Sequence, residues 1–301
     1  MSENPRDSAA AAGLRRLISG KRCTPVPGVF SPAVALLAAR AGFKALYLSG
    51  SAYSGLLGLP DLGVTTLTEV TGAASQIASR VRLPLIVDVD TGFGEAVNVG
   101  RTVTEMERVG AAAIQLEDQV MPKRCGHLEG KQLVTEEEMV KKLVAAKEAS
   151  TKKLVIVART DAASVEGIDS AVRRARLYLR AGADVIFPEA LRDASEFGEF
   201  ARKVRAPLLA NMTEFGKTEC IPVSEFERLG YRLVIFPVTT FRVMMKAVQE
   251  ALGELAEKGT QRDLLGRMMS RDEFYDLIGY RAYEGADERT ASRARELLDT
   301  N

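Results

Sequence analysis

Short apolar runs alternate with segments of helical periodicity along almost the whole chain, and this alternation restricts the fold more than any other feature. The runs are rich in β-branched residues and occupy positions 24–29, 45–48, 85–89, 113–116, 154–158, 185–187, 208–210 and 233–236. Runs this short and apolar read as strands covered on both faces, and the segments between them read as amphipathic helices. Helix starts are marked by Ser31-Pro32, a cap residue before an N1 proline, and by the capping-box pattern Thr135-Glu136-Glu137-Glu138. Several helices end at Ala41-Gly42, Val109-Gly110, Ala181-Gly182 and Leu229-Gly230, just before a strand. Glycine suits the left-handed residue that follows a helix. Repeated in this way, the pattern predicts an α/β fold, a closed parallel (β/α)8 barrel of the TIM type. An open doubly wound sheet is the alternative, but no GxGxxG follows a strand to support it.

A chain of 301 residues fits one barrel domain, 1–301, in which residues 243–301 form a C-terminal helical arm. In that arm Met244, Met245, Val248, Leu252 and Leu255 recur at helical spacing. Its apolar stripe either covers the barrel or packs on another subunit. With 41 basic against 40 acidic residues there is no electrostatic reason to expect nucleic acid or an anionic membrane as a partner. The longest apolar run, 33–39, is far short of the roughly 20 residues that span a bilayer. The N-terminus lacks the apolar core of a signal peptide. Cys23, Cys125 and Cys220 are scattered and form no CxxC pair, which points to a reducing, cytoplasmic setting.

In a parallel barrel the active site forms at the C-terminal ends of the strands. Those ends carry Phe30, Tyr47 to Gly50, Asp88 and Asp90, Glu117 and Asp118, Arg159 to Asp161, Glu189, and Asn211 to Thr213. So many polar groups on one rim are costly unless they pair or bind something. Asp88 and Asp90 stand two apart, on one side of a strand, with Glu117 leaving the next. An all-oxygen set without histidine or thiolate suits Mg²⁺, with Mn²⁺ as a substitute, over Zn²⁺. The competing reading is that these acids cap helices or pair with Lys and Arg.

The segment Pro122-Lys123-Arg124-Cys125-Gly126-His127 follows the fourth strand and contains the only histidine of the chain. Two flanking cations and His127 are expected to lower the thiol pKa and leave Cys125 exposed and reactive. The alternative is a small buried hydrophobe. Gly126, Gly130 and a low apolar content mark 118–133 as a loop that closes over the site.

Lys123-Arg124-Cys125-Gly126-His127 resembles the signature of the isocitrate lyase and phosphoenolpyruvate mutase superfamily. Its isocitrate lyases carry Lys-Lys-Cys-Gly-His, and its 2-methylisocitrate lyases carry Lys-Arg-Cys-Gly-His. The resemblance extends along the chain through Tyr47-Leu48-Ser49-Gly50, Gly58-Leu59-Pro60-Asp61, Asp88-Val89-Asp90-Thr91-Gly92 and Leu116-Glu117-Asp118-Gln119. It continues through Ala158-Arg159-Thr160-Asp161, Phe187-Pro188-Glu189-Ala190 and Asn211-Met212-Thr213-Glu214-Phe215. Isocitrate lyases are usually much longer, which favours the 2-methylisocitrate branch.

This resemblance implies cleavage of a small tricarboxylate, 2-methylisocitrate, to pyruvate and succinate. It implies Mg²⁺ on Asp88, Asp90 and Glu117, acting as a Lewis acid on the pyruvate half, with Ser49 and Gly50 supplying backbone N–H groups to the carboxylate. Cys125 would protonate the departing succinate carbanion, with His127 tuning or positioning the thiol. Arg159 would clamp a carboxylate, and Glu189, Asn211 and Thr213 would bind the succinate half. Lys123, Arg124, Gly126 and Arg242 are further expected substrate contacts. Tyr47 is a candidate base, with water as the alternative. Phe187 and Ile235 are expected to line the methyl pocket. A homotetramer with a C-terminal helix swapped between barrels is also implied. An isocitrate lyase, another α-keto acid lyase or decarboxylase of the superfamily, and a non-catalytic metabolite-binding barrel are the rival readings.

Overall fold

The computed structural model describes residues 5–151 and 154–299. Among these residues there are eight strands: β1 (Thr24–Val29), β2 (Leu46–Leu48), β3 (Leu85–Asp88), β4 (Ala113–Glu117), β5 (Val155–Thr160), β6 (Val185–Pro188), β7 (Leu209–Asn211) and β8 (Leu233–Phe236). All pair in parallel, in the order β6-β5-β4-β3-β2-β1-β8-β7. A single parallel bridge, Ile186 to Leu208, joins β6 to β7 and closes the ring into a (β/α)8 barrel.

The helices up to Lys258 are α1 (Pro5–Ser19), α2 (Pro32–Arg40), α3 (Gly50–Leu56), α4 (Leu67–Arg80), α5 (Ala96–Arg108), α6 (Glu136–Ala149), α7 (Ala162–Val165), α8 (Ile168–Arg180), α9 (Ala194–Lys203), α10 (Val223–Leu229) and α11 (Thr239–Lys258). Ser31 caps α2, its hydroxyl accepting the Val34 N–H ahead of an N1 proline. Thr135 and Glu138 complete the capping box of α6. Gly230 ends α10 in the left-handed region at φ +94°, as the Leu229-Gly230 signal requires.

Strand alternation decides what enters the barrel. On β5, Val155 and Val157 pack in an inner cluster with Ile86, Val185, Leu209 and Leu233, while Ile156 and Ala158 join the outer cluster under the helices. Leu14 and Ile18 of α1 belong to the inner cluster as well. Each aliphatic side chain buried there stabilises the fold by about 1.5–3 kcal/mol. Two residues further along the same faces the side chains become polar. Asp88 follows Ile86, Gln115 and Glu117 follow Ala113, Arg159 follows Val157, and Asn211 follows Leu209. The apolar layers therefore form the floor of a polar chamber at the C-terminal ends of the strands.

The chain divides into two compact units, one ending at Val243 and one spanning Met244–Asn301. The second contains most of α11, a 3₁₀ turn (Arg262–Arg267), α12 (Arg271–Ile278) and α13 (Tyr280–Asp299). Inside it Arg267 pairs with Glu250 at 3.2 Å and Glu254 at 3.5 Å. Tyr275 stacks on Tyr280 at 4.3 Å. No residue of α11 or α13 is buried, and Leu252, Tyr283 and Leu298 are exposed. Among the described residues, no helix is long and apolar enough to cross a membrane.

Candidate active site

A cavity of about 60 Å³ opens at the polar end of the barrel. Of the residues expected there, Tyr47, Ser49, Asp88, Lys123, Cys125, Gly126, His127, Arg159, Glu189, Asn211, Thr213 and Arg242 line it, as do Phe187 and Ile235. Asp90 and Glu117 lie behind that lining. Asp61, Ser51, Pro237 and Val238 also line the cavity, though none was singled out for a role.

One side is acidic. Carboxylate oxygens of Asp88, Asp90 and Glu117 lie within 4.8 Å of one another, and all three residues are buried. Asp90 stands beyond the end of β3 in left-handed backbone at φ +49°, so strand alternation does not place it. Its N–H instead donates to Asp88 Oδ1 at 3.2 Å. The Lys123 ammonium is 2.7 Å from Asp90 Oδ1 and also pairs with Asp61. Burial pushes Asp90 up to about 6, with Lys123 opposing and Asp88 adding to the rise. Burial also holds Glu117 well above the usual carboxylate range, against the pull of Arg159. Glu117 Oε1 is buried with no hydrogen-bond partner. Crowded acids, one of them with an orphaned oxygen, fit a hard divalent cation better than they fit each other.

The other side is charge-balanced. Arg159 donates from Nε and Nη2 to Asp161 at 2.9 and 3.1 Å, and its Nη1 lies 3.2 Å from Glu117 and 3.3 Å from Glu189. The guanidinium sits 5.4 Å over the Phe187 ring. Burial opposes charge on Glu189, but Arg159 and His127 prevail and hold its carboxyl far below the usual range. Asp161 is lowered in the same way, burial being overcome by Arg159 and Lys131. Asn211 Nδ2 donates to both Glu189 oxygens at 3.3 and 3.2 Å. His127 Nδ1 accepts the Lys217 N–H at 3.0 Å, which assigns the ring proton to Nε2, 3.3 Å from Glu189 Oε1.

Four expectations need correction. The Cys125 thiol is raised rather than lowered: burial is the main cause, and the His127 backbone N–H only partly opposes it. The flanking cations do not serve it, because Lys123 is committed to the acids and Arg124 is exposed, donating to the Glu129 carbonyl at 3.2 Å. Arg124 does not line the cavity, so the structure does not bring this expected contact to the site. The Gly50 N–H donates to Asp88 Oδ2 at 3.2 Å and so is already engaged. Tyr47 is buried and bonds Gln115 Oε1 at 2.5 Å. Burial, then Asp88, pushes its phenol well above the ordinary value, which argues against Tyr47 as the base.

Two residues named in the sequence motifs were given no role there, for different reasons. Asp61 was visible within Gly58-Leu59-Pro60-Asp61, but nothing local showed that Lys123 would reach it from 62 residues away. Asp161 shares an inward face with Arg159 two residues earlier, a spacing that does announce the pair.

The profile of the phosphoenolpyruvate phosphomutase family matches residues 14–256. The 2-methylisocitrate lyase of Aeropyrum pernix is 60% identical over 285 residues, covering 95% of this chain and 92% of that protein. Among solved structures, 2,3-dimethylmalate lyase, a member of the same superfamily, superposes with a TM-score of 0.88 at 34% identity over 94% of this chain and 95% of that one. Phosphonopyruvate hydrolase in complex with oxalate and Mg²⁺ superposes with a TM-score of 0.85 at 30% identity, over 93% and 99% of the two chains.

Proposed function

This chain belongs to the phosphoenolpyruvate phosphomutase family, and on that footing we propose that it is a lyase cleaving 2-methylisocitrate to pyruvate and succinate. The observation that carries the chemistry is a half-buried thiol, Cys125, lining the same cavity as Asp88, the member of the buried carboxylate triad that reaches it. The reaction is a reversed-aldol, Claisen-type scission. The substrate hydroxyl loses its proton and becomes the carbonyl of pyruvate. The electrons of the breaking C–C bond pass to the succinate half as a carbanion, which takes the Cys125 proton and leaves a thiolate to be reprotonated from solvent. A thiol with a raised pKa retains that proton until the carbanion forms. Because burial disfavours ionised Tyr47, we assign receipt of the hydroxyl proton to water.

Asp88, Asp90 and Glu117 would hold Mg²⁺, which supplies Lewis-acid stabilisation to oxygens of the pyruvate half. Arg159 and Asn211, both on Glu189, offer donors to the carboxylates of the succinate half once substrate displaces their present partners. Thr213 and Arg242 add polar groups on the same wall, and Phe187 and Ile235 offer apolar surface to the methyl group. A methyl is worth only about 1–3 kcal/mol in such a pocket, so isocitrate should turn over weakly.

Cys125→Ser tests the reading. Losing a positioned general acid costs about 10²–10⁴-fold in kcat, and KM should hardly move. Retention of more than about a tenth of native activity would remove the thiol from the mechanism. We further infer a cytoplasmic homotetramer with the second unit swapped between barrels. The exposed apolar side chains of α11 and α13 support the assembly, and light scattering measures it.

A further inference from the structure

Lys131 has none of the roles assigned above, yet it is 7% exposed and therefore buried, which is rare for a lysine. It lies on the returning limb of the 118–133 loop, two residues before Leu133, whose bridge to Gln119 closes the loop base. Its ammonium donates to Asp161 Oδ1 at 2.8 Å and to the backbone carbonyl of Gly126. Asp161 is the carboxylate that grips Arg159, and Gly126 sits between Cys125 and His127. A single ammonium thus ties the thiol-bearing turn to the group that orients the guanidinium.

Substrate binding does not account for this lysine, because it does not line the cavity. A buried ammonium is costly unless fully partnered. One of its partners comes from the turn and the other from the barrel, so both are satisfied only while the turn is down. The fit there leaves no slack: a Cβ at position 126 would lie 2.4 Å from Glu189 Cγ and 2.5 Å from Arg159 Nη2. Other bonds of this turn stay within the loop, such as Leu128 N–H to the Cys125 carbonyl and Arg124 with Gln119. His127 reaches outward to the Lys217 N–H and inward to Glu189 Oε1 at 3.3 Å, so Lys131 is the charged tie from the turn to Asp161 beside this imidazole contact.

We infer that Lys131 is a positioning residue of the reaction, its ammonium latching the Cys125–Gly126–His127 turn onto Asp161 and so setting where the thiol meets the reacting carbon. This rests on Cys125 as proton donor. The test is Lys131→Met, which keeps length and removes both bonds, beside Lys131→Arg, which keeps the charge. Alkylation of Cys125 by iodoacetamide in Mg²⁺-loaded, substrate-free protein reads the turn directly, with exposed Cys220 as the internal reference.

In the methionine variant Cys125 should react at least about tenfold faster relative to Cys220, because the turn opens more often. Misplacing the thiol should lower kcat by about 10²-fold. KM should change by less than about threefold, as for a group that does not contact substrate. Lys131→Arg should recover most of both effects. An unchanged alkylation ratio overturns the latch, whatever kcat does. Faster alkylation with native kcat overturns its bearing on the reaction. If the methionine variant does not fold, Lys131→Gln carries the same comparison. The alkylation ratio needs no substrate, so it stands or falls independently of whether native protein cleaves 2-methylisocitrate.

Discussion

The two sides of the cavity are made of the same buried residue types and behave oppositely. On one, four carboxylates, Asp61, Asp88, Asp90 and Glu117, have Lys123 among them, paired with Asp61 and Asp90, and Arg159 reaches in only to Glu117, at 3.2 Å. On the other, Asp161 and Glu189 face Arg159 and Lys131. On the first side Asp90 and Glu117 are pushed up, and on the second Asp161 and Glu189 are pulled down. Burial is the leading influence on both, so partner count rather than depth decides the sign. An over-acidic side fits a cation not supplied by the chain, whereas the other side is charge-balanced as it stands.

The largest effect should separate the two at once. Removing divalent metal with EDTA should abolish turnover, and Mg²⁺ or Mn²⁺ should restore it. At about 100-fold excess over its Kd, Mg²⁺ should also add about 2.7 kcal/mol of stability, read as a rise in Tm. Full activity in thoroughly stripped protein would break the comparison, because the acidic side would then need no outside charge.

Paired substitutions sharpen it. Asp161→Asn leaves Arg159 and Lys131 short of a buried partner and should cost about 3–5 kcal/mol in urea unfolding. Asp90→Asn should abolish turnover but change metal-free stability by less than about 1 kcal/mol, since relief of repulsion offsets the lost Lys123 contact. Equal destabilisation by the two would show that the sides do not differ.

The smallest effect is the pH dependence. Asp161 and Glu189 are held below their ordinary values of 3.8 and 4.5, so their contribution to stability is fully present above those values. It is lost as pH falls through and below them. The stability gap between native protein and Asp161→Asn should therefore be constant from pH 7 to about 5 and narrow below about pH 4. A gap that widens on acidification would reverse the assignment.

These contrasts show where sequence was sufficient. The strands were legible because β-branched apolar runs persist only where both faces are covered, and the rim acids because inward parity continues past the apolar layers. Asp88 and Glu117 follow that rule. Asp90 joins them by a left-handed turn that parity cannot foresee. Local charge misled for the thiol, since Lys123 and Arg124 flank Cys125 in the chain while their side chains turn elsewhere. Lys131 was illegible because its meaning depends on Asp161, 30 residues on, and on a carbonyl, which carries no residue identity.

The cavity has a consequence for throughput. At about 60 Å³ it holds no more than a few waters, at about 10–15 Å³ each, and no tricarboxylate. Every catalytic cycle therefore includes two passages, substrate in and products out, that the chemical groups do not control. Passage through the 118–133 loop would then set a ceiling on turnover, on the microseconds to milliseconds typical of such loops. Substitutions at Leu128 and Glu129, exposed within this loop and outside the cavity lining, should retune the cycle time while the chemistry stays fixed.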